Sequence, residues 1–154
     1  MKAAPDAGFQ LDARLAADTL FVAEWNLCRV LLMDDAQFPW LVLVPRREGL
    51  AELDDLAEPD RTQLMREIAR AMQVLRGVAG CDKLNVGALG NIVRQLHVHV
   101  VARRRGDAAW PGPVWGCGLA HHYLPDARDK LLDDLRRESR AQDTARAGRR
   151  KRNG

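Results

Sequence analysis

Residues 95–101 read Gln-Leu-His-Val-His-Val-Val, and this alternation constrains the fold more than any other stretch of the chain. In an extended strand, successive side chains point to opposite faces of the sheet, so Gln95, His97 and His99 share one face. The residues between them are apolar and share the other face. We therefore predict a strand whose apolar face packs on a core, while its opposite face presents two imidazoles and a carboxamide to a cleft.

Length and composition predict one globular domain with a substantial core, because 47% of the 154 residues are hydrophobic and 29% are charged. There is no apolar run of about 18 residues, and the N-terminus lacks a secretory signal pattern, so we expect a cytoplasmic protein without a membrane partner. Cys28, Cys81 and Cys117 are widely spaced, which favours neither a disulfide framework nor a cysteine zinc site.

The positive charge is concentrated near the C-terminus. Residues 136–154 carry eight basic and two acidic side chains, whereas the net charge of the whole chain is only +3. The rest of the chain is therefore acidic, with a net charge of −3, and this does not suggest a specific nucleic-acid-binding protein. We expect segment 141–154 to be a solvated, disordered tail; non-specific contact with polyanions is the alternative.

The first half of the chain predicts an antiparallel meander followed by a helix. A weak helical pattern covers 12–19, and apolar segments rich in strand-forming residues follow at 20–25, 28–33 and 40–44. Apolar residues then recur at three- and four-residue steps over 59–76, which predicts the main helix.

The second half predicts a hairpin and a last helix. A strand at 83–89, a tight turn at Gly90 and Asn91, and the histidine strand at 92–103 are expected to pair. A helix is expected from Pro125. The chain is thus predicted to be α+β, with an antiparallel central sheet of about five strands, one main helix packed on it and a C-terminal helix.

This order of elements resembles the histidine triad (HIT) superfamily. The family signature alternates three histidines with apolar residues, and this chain has Gln95 at the first histidine position and His97 and His99 at the other two. The resemblance spans about 20–115. Further matches are a glycine with an adjacent amide before the triad, an amide in the preceding strand, an acidic residue after the second strand and basic residues after the triad: Gly90, Asn91, Asn85, Asp34 and 103–105.

The resemblance implies a nucleotidyl hydrolase or transferase that needs no metal and no other cofactor. It would act at the α-phosphate of a nucleoside 5′-phosphate derivative, such as a dinucleoside polyphosphate or a nucleoside phosphoramidate. His97 would attack phosphorus and form a covalent nucleotidyl-histidine, and His99 would contact phosphate oxygens and help to protonate the leaving group. Unperturbed imidazole titrates near pH ~6.5, so a neutral nucleophile and a protonated neighbour can coexist at cellular pH.

The resemblance also implies supporting roles. Gln95 would orient His97 or hold a phosphate oxygen, although a carboxamide carries no charge. Asp34 would bind the ribose hydroxyls. The implied phosphate or sugar contacts are Asn85, Gly90 and Asn91.

The resemblance further implies a homodimer joined through the hairpin and helix region. On this basis we divide the chain into an N-terminal segment 1–19, a HIT-like domain 20–118, a C-terminal helical extension 119–140 and the tail 141–154.

Two alternatives stay open at this point. The chain could be a nucleotide-binding module that keeps the fold without catalysis, because Gln95 replaces a titratable residue. Alternatively, His97 and His99 could supply two ligands of a metal site on one face of a strand, with His121 or His122 as a third. Turnover, and its response to a chelator, distinguishes these alternatives.

Overall fold

The computed structural model describes residues 8–152, with only the backbone described over 146–152. One five-stranded sheet consists of Thr19–Glu24 (β1), Cys28–Met33 (β2), Trp40–Pro45 (β3), Lys83–Gly87 (β4) and Val98–Arg103 (β5). Its order is β1-β2-β3-β5-β4, and every neighbouring pair is antiparallel. The predicted α+β fold with an antiparallel central sheet is confirmed.

Both faces of the sheet are covered, as the residues of β3 illustrate. All six are buried, which explains why this strand is a continuous apolar run rather than an alternating one. Leu41 and Leu43 belong to the cluster that includes the main helix, on what we call the helix face. Trp40, Val42 and Val44 belong to a second cluster on the opposite face, which we call the cavity face.

The main helix covers the helix face of the sheet. It spans Glu58–Ala79 (α2), so it confirms the predicted helix at 59–76 and continues beyond its expected end. Pro59 lies in its first turn, where its missing N–H costs nothing, and Gly80 ends it at a positive φ of 59°. Its buried apolar stripe includes Leu64, Ile68, Ala71 and Leu75.

A short first helix, Ala13–Asp18 (α1), lies on the cavity face. Asp12 caps it, because the Arg14 backbone N–H donates to Asp12 Oδ1 at 2.8 Å. Leu15 is the buried residue of α1 and packs in the cluster that contains Trp40. The weak helical pattern of the sequence thus marks an element that helps to form the cavity described below.

The last helix spans Pro125–Arg152 (α3), so a helix continues into the segment 141–154 for which the sequence predicted a disordered tail; residues 153–154 lie outside the described chain. One reason is tertiary: Arg70 of α2 forms an ion pair with Asp143 at 2.7 Å. The other is local, since alanine, arginine, lysine and glutamine are good helix formers. Within residues 8–152, no helix combines the length and apolarity needed to cross a membrane.

The hairpin differs from its predicted form. Strand β4 ends at Gly87 and β5 begins at Val98, so a loop over 88–97 replaces the expected tight turn at Gly90 and Asn91. The backbone in this region bonds outside the sheet, because the Leu96 N–H donates to the Leu50 carbonyl at 3.0 Å. The loop therefore leaves the plane of the sheet and becomes available to line a cavity.

Apolar side chains are exposed beside the edge strand β4. Met65 of α2 and Val86 of β4 are exposed, and both line a cavity of about 350 Å³ between the helix and the sheet edge. The predicted homodimer would involve this hairpin and helix region; it stays a prediction.

Candidate functional site

A cavity with a volume of about 710 Å³ lies on the cavity face of the sheet. It is lined by α1, the start of β3, the loop at 88–97, the histidines and the segment at 114–120. Four of the predicted site residues line it: His97, His99, Gly90 and Asn91. The structure therefore brings together both histidines and the glycine and amide before them.

The predicted alternation around the histidines is confirmed, although His97 immediately precedes β5 rather than lying within it. Leu96, Val98 and Val100 pack in the cluster on the helix face. His97 and His99 line the cavity, and their ring centroids are 4.8 Å apart with an angle of 76° between the planes. Both side chains are largely withdrawn from water, with 7% and 6% of their surface exposed.

The contact of His97 defines which ring nitrogen can react. Its Nδ1 lies 2.6 Å from the backbone carbonyl oxygen of Gln95. A carbonyl oxygen can only accept, so Nδ1 carries the hydrogen of this bond. In the neutral ring the lone pair is then on Nε2, which is the nitrogen available as a nucleophile.

His99 is held in the opposite tautomer. The Trp40 indole Nε1–H donates to His99 Nδ1 at 3.0 Å, and an indole can only donate, so Nδ1 carries no hydrogen. Burial lowers the pKa of His99 to about 4, with a smaller contribution from the charge of His97. This corrects the expectation of a protonated neighbour: at cellular pH His99 is neutral and offers its Nε2–H as a hydrogen-bond donor.

Two tryptophans form the surroundings of His99. The ring centroids of Trp40 and Trp115 lie 5.4 and 5.6 Å from that of His99. Gly87 is the β4 partner of His99, and a Cβ there would come within 3.0 Å of the Trp115 ring. The glycine thus allows Trp115 to pack beside His99, and this packing explains the burial that disfavours the imidazolium.

The pKa of His99 predicts an acid-sensitive fold. The folded-state pKa of about 4 lies below the unfolded value near 6.5, so the unfolded state binds the proton first. The resulting stabilisation is complete above about pH 6.5 and decreases as the pH falls towards 4, with a loss of about 2 kcal/mol by pH 5. Chemical unfolding from pH 7.5 to 4.5 should show a steeper decline for wild type than for His99→Gln. Equal slopes would contradict this assignment.

Gln95 does not line the cavity, and both ends of its carboxamide are hydrogen-bonded elsewhere. Its Nε2 donates to the Gln10 carbonyl at 2.8 Å, and its Oε1 accepts from the Asp12 N–H at 2.9 Å. The residue does contact His97, but through its backbone carbonyl rather than the side chain that the sequence suggested.

Asp34 also lies outside the cavity lining, whereas its neighbour Asp35 lies within it. The Asp34 carboxylate accepts from the Tyr123 N–H at 3.0 Å and lies 2.9 Å from His122 Nδ1. Asp35 accepts from the His121 backbone N–H at 3.3 Å. The two carboxylates therefore hold the segment before α3 against the β2–β3 turn, and the predicted contact of Asp34 with the ribose hydroxyls stays a prediction.

Asn85 is engaged in a buried polar cluster apart from the cavity. Its Oδ1 accepts from Arg103 Nη1 at 2.7 Å, and Arg103 also forms an ion pair with Asp107 at 2.7 Å. The hydrogen bond from the Arg103 guanidinium lowers the pKa of Asp107 to about 2, so Asp107 is ionised at neutral pH and the ion pair is maintained. Asn85 therefore supports the arginine in this structure, and its predicted contact with substrate stays a prediction.

Sequence reasoning missed several residues that line the cavity: Arg14, Asp35, Trp40 and Trp115. The alternation of β3 places Trp40 on the same face as Val42, but no local pattern shows that it reaches His99. His121 and His122, the third ligands of the alternative metal site, do not line the cavity. Across the described part of the chain, no three His, Cys, Asp or Glu residues are grouped to hold a metal ion.

Solved structures from three bacteria resemble nearly the whole chain. A histidine triad protein from Bradyrhizobium japonicum is 46% identical, with a TM-score of 0.82, and the match covers 84% of this chain and 97% of that one. A histidine triad protein from Sinorhizobium meliloti 1021 is 41% identical, with a TM-score of 0.84 and coverage of 86% and 98%. One from Marinobacter aquaeolei VT8 is 41% identical, with a TM-score of 0.83 and coverage of 86% and 97%.

Curated relatives match a shorter part of the chain. Two proteins from strains of Mycobacterium tuberculosis, each named AP-4-A phosphorylase, are 33% identical over 104 residues. The match covers 64% of this chain and 53% of theirs, so the chain spans about half the length of these relatives.

The family described as HIT domain matches residues 14–106. This range begins in α1, includes all five strands and α2, and contains His97 and His99. It covers more than half of the chain, as do the matches to the three solved histidine triad proteins. The chain therefore belongs to the HIT domain family.

Proposed function

We propose that this protein is a metal-independent nucleotidyl hydrolase or transferase that acts at the α-phosphate of a nucleoside 5′-phosphate derivative. Membership of the HIT family and the relatives named AP-4-A phosphorylase support a nucleotide-processing enzyme. The observation that carries the proposal is the pair of complementary tautomers at the cavity: His97 with its lone pair on Nε2, and His99 with its hydrogen on Nε2.

In the first step, His97 Nε2 attacks the α-phosphorus. A nitrogen–phosphorus bond forms, and the bond from phosphorus to the leaving group breaks with its electron pair on the leaving group. The Gln95 carbonyl stabilises the positive charge that develops on the His97 ring through its bond to Nδ1–H. The product of this step is a covalent nucleotidyl-histidine.

The neutral His99 contributes a fixed donor rather than a proton. Its Nε2–H can bond to a non-bridging phosphate oxygen, whose negative charge increases in the transition state. Because Trp40 fixes the other nitrogen as an acceptor, this N–H is oriented before substrate binds. Its pKa of about 4 makes His99 a poor source of a positive charge at pH 7, so the leaving group takes its proton from water.

The second step releases the nucleotide. Water attacks the same phosphorus and an oxygen–phosphorus bond forms, while the nitrogen–phosphorus bond breaks and its electron pair returns to His97 Nε2; the proton that the water loses passes to the solvent. For a dinucleoside polyphosphate, one water is consumed and a mononucleotide and a shortened nucleotide are formed. A cavity of about 710 Å³ is within the range of small-molecule sites and is large enough for a nucleotide.

The proposal is tested by mononucleotide release from diadenosine tetraphosphate and adenosine 5′-phosphoramidate in excess chelator. We expect turnover to persist and a rapidly quenched sample to show a protein mass increased by one nucleotidyl group, with an acid-labile bond. Nucleotide binding without turnover would instead identify a binding module. Turnover abolished by the chelator would contradict the metal-independent mechanism.

A further inference from the structure

The cavity carries little positive charge for a site that binds phosphates. Its lining includes the carboxylates of Asp18 and Asp35, and His99 is neutral at pH 7. Among the described residues that line the cavity, Arg14 of α1 is the one with a permanent positive charge. A polyphosphate substrate requires compensation of its own charge, and an arginine provides it through charge-assisted hydrogen bonds.

The Arg14 side chain is available for a ligand. It is exposed, and its guanidinium makes no hydrogen bond or ion pair with any residue that the structure describes. Other arginines of the fold are engaged: Arg70 with Asp143, and Arg103 with Asp107. Arg14 is thus an unused cation at the edge of a cavity that contains the two histidines.

A chain of hydrogen bonds connects Arg14 to Gln95. The Gln95 carboxamide donates to the Gln10 carbonyl at 2.8 Å and accepts from the Asp12 N–H at 2.9 Å. Asp12 in turn caps α1 by accepting from the Arg14 N–H at 2.8 Å. Both polar ends of the carboxamide are needed, because a carboxylate could accept from Asp12 but could not donate to Gln10.

From these contacts we propose that Arg14 binds a phosphate of the substrate and that Gln95 is the positioning residue that holds Arg14 at the cavity. The inference rests on the proposed function and adds a binding residue to it. It also gives a physical role to the glutamine at the position where the family signature has histidine. Its carboxamide donates to one backbone group and accepts from another, which neither an imidazolium nor a carboxylate could do.

The first test compares Arg14→Gln with wild type and with Arg66→Gln. Arg66 is an exposed arginine of α2 that does not line the cavity, so it is a matched control for the loss of surface charge. We expect Arg14→Gln to raise KM for diadenosine tetraphosphate about tenfold, as for one lost charge-assisted bond, with kcat changed less than about threefold. Arg14→Lys should recover part of the loss. An unchanged KM in Arg14→Gln would overturn the proposal.

The second test is a double-mutant cycle with Gln95→Glu, which keeps the size and the acceptor but removes the donor to Gln10. If Gln95 acts through Arg14, Gln95→Glu raises KM in the wild-type background and has little further effect in the Arg14→Gln background. Amide hydrogen exchange over 10–18 should also accelerate in Gln95→Glu. Fully additive effects on KM would show that Gln95 does not act through Arg14.

The tests separate this inference from the proposed function. If wild type turns over nucleotide while Arg14→Gln keeps its KM, the inference fails and the proposed function stands. If the protein binds diadenosine tetraphosphate without turnover, the same cycle is measured with Kd, and the expected tenfold change applies to Kd. If wild type neither binds nor turns over nucleotide, both are overturned.

Discussion

Replacing His97 by alanine is expected to reduce mononucleotide release by at least about a thousandfold, the loss typical of removing a covalent nucleophile. The substitution removes the Nε2 lone pair, which the bond from Nδ1–H to the Gln95 carbonyl places on that nitrogen. His99 cannot replace it, because its Nε2 carries the hydrogen while Trp40 occupies Nδ1. Initial rates for wild type and variant, measured in excess chelator over pH 6–8, check the expectation.

Two controls show whether the lower rate of His97→Ala comes from the missing nucleophile rather than from weaker substrate binding or a general effect of the substitution. His121→Ala removes an exposed imidazole that does not line the cavity, and it should leave the rate within about twofold of wild type. The Kd of His97→Ala for diadenosine tetraphosphate should remain within severalfold of the wild-type KM, because the nucleophile contributes mainly to the transition state. A variant that retains more than a tenth of the wild-type rate would place the nucleophile elsewhere.

Replacing Glu67 by alanine is expected to lower the free energy of unfolding by about 3–5 kcal/mol, as for the loss of a buried side chain that leaves backbone donors unpaired and a void behind. Glu67 lies on α2 and is only 1% exposed. Its two carboxylate oxygens accept from the backbone N–H groups of Leu27 and Cys28, at 2.9 and 2.8 Å, and Gln63 Nε2 donates to it at 2.7 Å. Alanine would leave two buried N–H groups without a partner and create a void beneath the β1–β2 turn.

Denaturant unfolding at pH 7.5 measures this effect. Glu67→Gln should lose less than Glu67→Ala, because it keeps the volume and one acceptor but points an amide N–H at a backbone N–H. Gln73→Ala on the exposed side of α2 is the matched control and should change stability by less than about 0.5 kcal/mol. A loss below about 1 kcal/mol in Glu67→Ala would mean that the two backbone N–H groups find other acceptors.

The elements that local pattern defines were predictable from the sequence. The strands at 28–33 and 40–44 coincide closely with β2 and β3, and α2 begins and ends near its proline and glycine. The sequence predicted that β4 and β5 pair as a hairpin, but not the length of the loop that joins them, because no local pattern indicates that residues 88–97 leave the sheet. Its path depends on a bond to Leu50, more than 40 residues away in the chain.

The candidate site, like the fold, was predictable from the sequence only in part. The period of two in residues 95–101 was sufficient to place His97 and His99 on one face, because that period is a property of the extended backbone. Whether Asp34 or Asp35 lines the cavity was not predictable, since the two are adjacent and only the packing of the segment before α3 distinguishes them.

The sequence by itself determined the order of the elements along the chain, the main helix and the shared face of the histidines, because these follow from interactions between near neighbours in the chain. Only the tertiary structure decided the protonation of His99 and the role of Gln95. Trp40 and His99 are 59 residues apart, and Gln95 and Gln10 are 85 apart. Tautomer, pKa and hydrogen-bond partner depend on burial and on atoms that only the folded chain brings within 3 Å of each other.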